Sequence, residues 1–283
     1  MSINKKIRRP VLRYHGGKFL LAEWIVSHFP KHRIYVEPFG GGGSVLMRKH
    51  RSYAEIYNDR WDNVVNVFQV LRDDQKSEQL RRVLELTPYS RTEFRKCSYQ
   101  NFDTIDDPIE RARLTIYRSF SGFGSAATNG QYATGFRGSS HRSGTTPAQD
   151  WANFPQHVKL FNERLKGVTI ENLDYREVML RHDTPETLVY LDPPYVHATR
   201  NMKRGNASYA HEFADLDHVE LCQFIKGLKS MIILSGYEND IYNEHLIGWR
   251  KEHREALADG AKKRIETLWF SPNCPTTKGK IFE

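Results

Sequence analysis

The chain has 283 residues, enough to bury a substantial core, and its length suits one large domain or a domain carrying a smaller inserted one. A formal net charge of +8 with 12% aromatic residues fits a partner that is polyanionic and offers flat surfaces for stacking, as nucleic acid does. Cys97, Cys222 and Cys274 are too scattered for a disulfide framework or a zinc cluster, and neither a signal-peptide core nor a membrane span is visible, so a cytoplasmic setting is expected.

Residues 8–18, RRPVLRYHGGK, are basic and broken by glycine, and the run from Phe19 to Phe29 places Leu20, Leu21, Trp24, Ile25 and Phe29 at helical spacing. Gly16-Gly17-Lys18 is therefore expected at a helix start, where backbone amides and an ammonium favour a ligand carboxylate or phosphate. Ile34 to Phe39 reads as a strand, Gly40 to Ser44 as a glycine turn, and Val45-Leu46-Met47 as helix. That order is the form of a nucleotide or nucleoside site, because glycine lets the backbone approach a small molecule and exposes the amides that open the helix. Ala54 to Tyr57 is a second strand ending in Asn58-Asp59, with a helix from near Trp61 towards Arg72. A carboxylate at this position suits ribose hydroxyls, and Asn58 and Asp59 suit a helix cap equally well.

From Gln75 to Ser121 the pattern is helical, with Ser90 as a cap and Asp107-Pro108 opening a helix that runs through Leu114 and Tyr117. Between Arg111 and Gln149 there are five arginines and no acid, interleaved with Phe120, Phe123, Tyr132 and Phe136. Cations for phosphates, arginine forks for guanine edges and rings to wedge into a stack are what a DNA-reading surface needs. Arg118, Arg137, Arg142 and Phe123 are its expected contacts. A solvated loop is the competing interpretation. Trp151 to Lys166 returns to helix, closed by Gly167, and Val168 to Ile170 makes a third strand leading to Asp174-Tyr175.

Leu188 to Leu191 is an apolar run that stops abruptly at Asp192-Pro193-Pro194-Tyr195. Two prolines cannot continue a ladder, so the chain leaves the sheet as a stiff turn with free carbonyls. The Asp192 carboxylate and a proline carbonyl both accept hydrogen bonds, which suits an exocyclic amino group, and the Tyr195 ring offers a face to a planar base. Asp217 to Leu228 then reads as helix, Met231 to Leu234 as strand and Glu238 to Leu246 as helix. A hairpin follows, from Trp249 to Leu257 and Arg264 to Phe270 around Asp259-Gly260. The whole is an α/β chain with a mostly parallel sheet and an antiparallel C-terminal hairpin.

Taken in order, HGGK at 15–18, EPFGGGG at 37–43, Asn58-Asp59, the arginine-rich insertion, Asp174-Tyr175 and Asp192 to Tyr195 resemble the Dam-like, alpha-group family of S-adenosylmethionine-dependent adenine-N6 DNA methyltransferases. The resemblance covers nearly the whole chain. It implies a Rossmann-like methyltransferase domain from 1–72 and 167–283, with a mainly helical target-recognition domain inserted at 73–166. It further implies that Tyr14, Lys18, Glu37, Phe39, Gly41 and Asp59 hold S-adenosylmethionine, with Asp174 and Tyr175 near its adenine. Asp192, Pro193, Pro194 and Tyr195 would receive an adenine flipped from double-stranded DNA, without a metal, in a monomer. Tyr14 stands where the family commonly has tryptophan, Arg60 is uncommon after Asn-Asp, and residues 119–137 follow the recognition pattern only loosely. The same acceptors would also serve an amino group of cytosine or of RNA, and a non-catalytic DNA-binding protein on this scaffold is a further class. Cytosine C5 chemistry needs a Pro-Cys step, whereas Cys274 is followed, not preceded, by proline.

Overall fold

Short runs of apolar and aromatic residues pair into one sheet in the computed structural model, which describes residues 6–124, 134–138, 144–199, 211–257 and 263–275. Its strands are β1 (Ile34–Glu37), β2 (Ala54–Asn58), β3 (Val168–Glu171), β4 (Thr187–Leu191), β5 (Met231–Tyr237), β6 (Arg250–Leu257) and β7 (Lys263–Phe270). They lie in the order β3-β2-β1-β4-β5-β7-β6. Pairing is parallel from β3 to β5, and β7 runs antiparallel between β5 and β6. The expected architecture of a mostly parallel sheet with an antiparallel C-terminal pair is what forms. The hairpin turn at Asp259-Gly260 lies outside the described residues.

Two apolar layers cover the sheet. On one face lie α1 (Ala22–Ser27), α2 (Ser44–Arg48), α3 (Asp62–Arg72), α4 (Asp74–Leu86), α5 (Arg91–Tyr99), α6 (Pro108–Ser121), α7 (Pro147–Ala152) and α8 (Val158–Leu165), packed with Tyr35, Tyr57, Leu188 and Tyr190. The other face carries α9 (Tyr175–Arg181), α10 (Asp215–Lys226) and α11 (Asp240–His245), packed with Val36, Ile56, Val189 and Leu191. This division follows from the twofold period of a strand, which sends alternate residues of β1 and β4 to opposite layers.

Local chemistry sets the helix ends. Ser90 accepts from the Glu93 amide at 3.1 Å and Asp107 from the Ile109 amide at 2.9 Å, with Pro108 in the first turn, as the sequence predicts. Two expectations are corrected. The helix after Gly16-Gly17-Lys18 starts only at Ala22, because residues 14–17 and 18–21 form turns closed by the Gly17 and Leu21 amides on the Tyr14 and Lys18 carbonyls. The single helix expected over 151–166 is divided into α7, a 3-10 turn at Pro155–His157 and α8, since Pro155 has no amide with which to continue a helix.

The helices of the insertion share their core with the sheet layer rather than forming a separate one. α8 is tied down by polar contacts as well. The Asn162 amide donates to the Leu71 and Arg72 carbonyls, and the buried Arg164 guanidinium makes a two-pronged pair with Glu55 at 2.7 and 2.9 Å. Glu55 is also paired with the buried Lys49, so one carboxylate holds both cations.

Asn58, at the end of β2, joins three chain segments. Its amide nitrogen donates to the Pro38 carbonyl at 2.9 Å and the Leu173 carbonyl at 3.1 Å, and its oxygen accepts from the Leu173 amide at 2.8 Å. The side chain thus fastens the exits of β1 and β3 to that of β2. Replacing Asn58 by alanine strands these backbone groups, and a loss of about 1–3 kcal/mol is expected in chemical denaturation. Unchanged stability would show that water replaces the tie without loss.

Candidate active site

Strand order reverses between β1 and β4, because β1 connects outward towards β2 and β3 while β4 connects towards β5. A crevice opens at such a point beyond the carboxyl ends of the strands. Register determines which side chains face it. Val36 pairs with Val189, which places Glu37 beside Tyr190, and Asp192 follows two residues later on the same face. Leu191 pairs with Leu234, so Ser235 continues that face on β5, and Tyr237 pairs with Glu266 on β7. The lower part of this face is apolar core, and its upper end carries Glu37, Asp192, Ser235 and Glu266.

A cavity of about 270 Å³ occupies the crevice. Tyr14, Lys18, Glu37, Phe39, Gly41, Asp59, Asp174 and Tyr175 all line it, together with Asp192 and Pro194. Pro193 and Tyr195 are not in the lining. Phe39, Tyr175 and Phe213 form an aromatic group in the wall, with Phe39 at 5.1 Å from Tyr175 and 5.6 Å from Phe213 between ring centroids. The Tyr175 hydroxyl is buried and has no hydrogen-bond partner among the described residues. Arg60, for which the sequence suggests no role, lies 3.6 Å from Asp174 at the rim.

The glycine turn behaves differently from expectation. Its close approaches are to the protein's own rings: a Cβ on Gly40 would meet Tyr57 at 2.2 Å, and one on Gly41, whose φ is +46°, would meet Tyr14 at 2.9 Å. The turn is also held from below, since Asp59 accepts from the Gly41 amide at 2.7 Å and Tyr57 donates to the Gly41 carbonyl at 2.7 Å. Asp59 accepts from the Trp61 amide too, so it orders both the glycine turn and the start of α3. The first-turn amide of Leu46 in α2 is taken by the Glu37 carboxylate at 3.0 Å rather than left for a ligand.

Lys18 is likewise not an open anion site. Its buried ammonium donates to Asp192 Oδ1 at 2.6 Å, the Tyr195 hydroxyl at 2.6 Å and the Gly16 carbonyl at 2.9 Å, and lies 3.6 Å from Glu266. Tyr195 is itself buried, with its ring stacked on Tyr237 at 4.6 Å, so one face is already covered. Ser235, Tyr237 and Glu266 carry no motif and are not identifiable from the sequence. Glu266 in particular reverses the expected alternation, being 1% exposed beside an Ile265 that is 55% exposed.

Burial decides the ionisation of this end of the sheet. It pushes the Glu37 carboxyl up to about 8, against the hydrogen bond from Tyr35 at 2.8 Å and with Asp192 adding repulsion. It pushes Asp192 up to about 6, opposed by Lys18 and reinforced by Glu266. Asp59 is raised for the same reason, despite its bonds from the Trp61 and Gly41 amides. Burial alone would lower Lys18, but Asp192 and Glu266 outweigh it and hold the ammonium firmly protonated.

Of the residues expected to meet DNA, Phe123 is 56% exposed, just beyond α6, where its amide bonds to the Gly135 carbonyl. Arg137 is half-buried and 3.9 Å from Asp150. Arg118 is a correction: it is 7% exposed, with its guanidinium 3.8 Å from the centre of the Phe102 ring, and so it packs in the core rather than facing a partner. Arg142 lies outside the described residues. The stretch without acids is also less uncompensated than it reads, because Arg111 pairs with Asp62 and Arg113 with Glu93 and Glu110, all contributed from elsewhere in the chain.

The family described as D12 class N6 adenine-specific DNA methyltransferase matches residues 14–255, and the chain belongs to it. The protein therefore methylates adenine N6 in DNA and requires a methyl donor. It is 27% identical over 278 residues to the DNA adenine methylase of Salmonella typhi, covering 93% of this chain and 95% of that one. The DNA adenine methylase of Escherichia coli K12 is 27% identical over 281 residues, with the same coverage of 93% and 95%. The Type II methyltransferase M.MjaIII of Methanocaldococcus jannaschii is 24% identical over 260 residues, covering 83% and 87%.

Glu37→Gln gives a pH-dependent gain in stability. The folded carboxyl sits near 8 while an unfolded one sits near 4.5, so the native state is penalised increasingly as pH rises between these values. Glutamine keeps an oxygen for Tyr35 and the Leu46 amide without that penalty. The melting temperature of the variant is expected to exceed that of the wild type by a few degrees at pH 8 and by less at pH 6. A gain independent of pH would refute the buried-acid account.

Proposed function

We propose that the protein takes its methyl group from S-adenosylmethionine and delivers it to an adenine turned out of duplex DNA, acting as a monomer in the cytoplasm without a metal. The supporting observation is the charge of the cavity. In a chain of net charge +8, with Glu37 mostly protonated at neutral pH, the lining still contains the carboxylates of Asp59, Asp174, Asp192, Glu212 and Asp217 against the three full cations of Lys18, Arg60 and Arg176. Lys18 is committed to Asp192, and Arg176 to Glu220 at 2.6 Å. Such a cavity suits a ligand bearing positive charge. The aromatic group of Phe39, Tyr175 and Phe213 suits a flat heterocycle at the same ligand's other end, and the unpartnered Tyr175 hydroxyl beside it can bond to a polar edge.

S-adenosylmethionine, when bound, supplies a methyl carbon already activated by a sulfonium, and the protein's task is placement. Asp192 accepts one hydrogen of the adenine amino group and the Pro193 carbonyl the other, which aims the nitrogen lone pair at the methyl carbon. Phe39, Tyr175 and the cavity acids would hold the donor, which would leave as a neutral thioether once its methyl group is transferred, and the amino nitrogen would shed a proton. Asp192, ionised above about 6, is placed to receive it. The exposed Phe123 and the neighbouring Arg137 belong to the surface that meets the duplex, within the target-recognition region of residues 73–166. Among the described residues no helix is long and apolar enough to cross a membrane.

Nucleoside mass spectrometry on unmethylated duplex DNA, incubated with the protein and S-adenosylmethionine, tests this reading. N6-methyladenine is expected with the wild type and not with Asp192→Ala, which should still bind DNA. Full activity in the variant would remove Asp192 from the mechanism, and product on single strands alone would remove the duplex. Phe123→Ala is expected to weaken duplex binding by about 1–3 kcal/mol if the ring stacks on a base. Unchanged affinity in a fluorescence titration would place the contact elsewhere.

A further inference from the structure

We infer that Glu266 is a positioning residue for methyl transfer, acting through Lys18 to fix the orientation of the Asp192 carboxylate. The inference rests on the role proposed above for Asp192. Four observations lead to it. Glu266 is buried in the middle of β7, far in sequence from every motif, where an unpaired carboxylate would be strongly disfavoured. Its Oε1 accepts from the Ser235 hydroxyl at 2.7 Å, which fixes its direction. The same oxygen faces the Lys18 ammonium at 3.6 Å. The three hydrogen bonds of Lys18 go to Gly16, Tyr195 and only one oxygen of Asp192, Oδ1, so Glu266 acts on the ammonium through charge.

The arrangement has a chemical consequence. A carboxylate held through one oxygen cannot rotate freely, and its other oxygen, Oδ2, is left for a substrate amino group. Lys18 alone would be a poor clamp, since a flexible ammonium can follow any nearby acceptor. With Glu266 on one side and Asp192 on the other, its position is determined from both ends. Glu266 and Asp192 together outnumber Lys18 by one negative charge, so Asp192 keeps acceptor strength rather than being quenched in a one-to-one pair.

The titratable groups around this cluster come from several elements. They are Lys18 from the N-terminal segment, Glu37 from β1, Tyr190 and Asp192 from β4 and its exit, Tyr195 beyond it, Tyr237 from β5, and Arg264 from β7, whose guanidinium lies 5.3 Å from the Tyr237 ring centre. After burial itself, Lys18 and then Glu266 dominate the environment of Asp192. Removing the Glu266 charge therefore makes Asp192 easier to ionise, and the pH at which activity is lost on acidification moves downward.

The experiment compares wild type, Glu266→Gln, Lys18→Gln, the double variant and Asp192→Ala, using a duplex oligonucleotide substrate and S-adenosylmethionine. Glu266→Gln is expected to lower kcat about tenfold or more while leaving KM for both substrates unchanged, and to move the acid limb of kcat to lower pH. Because Glu266 acts through Lys18, the double variant should be no slower than Lys18→Gln alone. Wild-type kcat, a loss confined to KM, an unmoved acid limb or additive losses would each overturn the inference. If Asp192→Ala is inactive while Glu266→Gln behaves as wild type, only this inference fails; if Asp192→Ala is active, the reading beneath it fails. Should Glu266→Gln not purify folded, Ser235→Ala is the second variant, since it loosens the same carboxylate without removing its charge. Reduced kcat at constant KM then supports the inference, and wild-type kinetics overturn it.

Discussion

Parallel pairing of β1 with β4 is the constraint on which the rest of this structure depends. It creates the reversal in strand order, and with it a crevice that the sheet itself cannot fill. It also sets the register that puts Glu37, Tyr190 and Asp192 on one face. A slip of a single residue would turn Asp192 towards the layer of α9 to α11 and bring an apolar side chain into the cavity. The apolar content of β4, buried at every position, is what makes such a slip costly. The chemistry of the site is thus protected by core packing that takes no part in it.

A second constraint is electrostatic. The protein is basic overall, as suits a polyanionic partner, yet it concentrates acid in the crevice between β1 and β4. Those acids are not independent. Glu37 is held by Tyr35 and the α2 backbone, Asp59 by the glycine turn and α3, and Asp192 by Lys18. Each therefore does structural work in the absence of ligand, which is why they can be kept in a dry environment at all. A cationic ligand would relieve the remaining repulsion, so affinity and preorganisation have the same source.

Much of this was readable from residue order. The strands, the caps at Ser90 and Asp107, the antiparallel hairpin and ten of the residues that line the cavity are local signals: apolar runs, turn formers, and polar groups placed just after strands. What the sequence obscured was long-range and depended on partners. Arg118 reads as a free cation because nothing near it in sequence shows that Phe102 will cover it. The glycine turn does line the cavity, but its close approach to the Tyr57 and Tyr14 rings is hidden because both are separated from it in the chain. Glu266 carries no signal in the sequence, and its inward position beside Ser235 follows only from the insertion of β7 between β5 and β6. Periodicity identifies elements well, but it does not show which of two faces a polar residue will occupy when both faces are buried.

The placement of β7 also bears on how the chain is made. β6 precedes β7 in sequence but lies beyond it in the sheet, so β6 cannot find its place until β7 has been synthesised and threaded beside β5. Until then the edge of β5, an apolar strand, is open to pairing with other chains, which is a hazard for any partially made protein. The same event brings in Glu266, the last of the buried charges around Lys18. During synthesis, then, the nascent polypeptide passes through its most aggregation-prone stage just before the active site acquires its full set of charges, and a chain cut short before β7 would lack both a protected edge and a finished site.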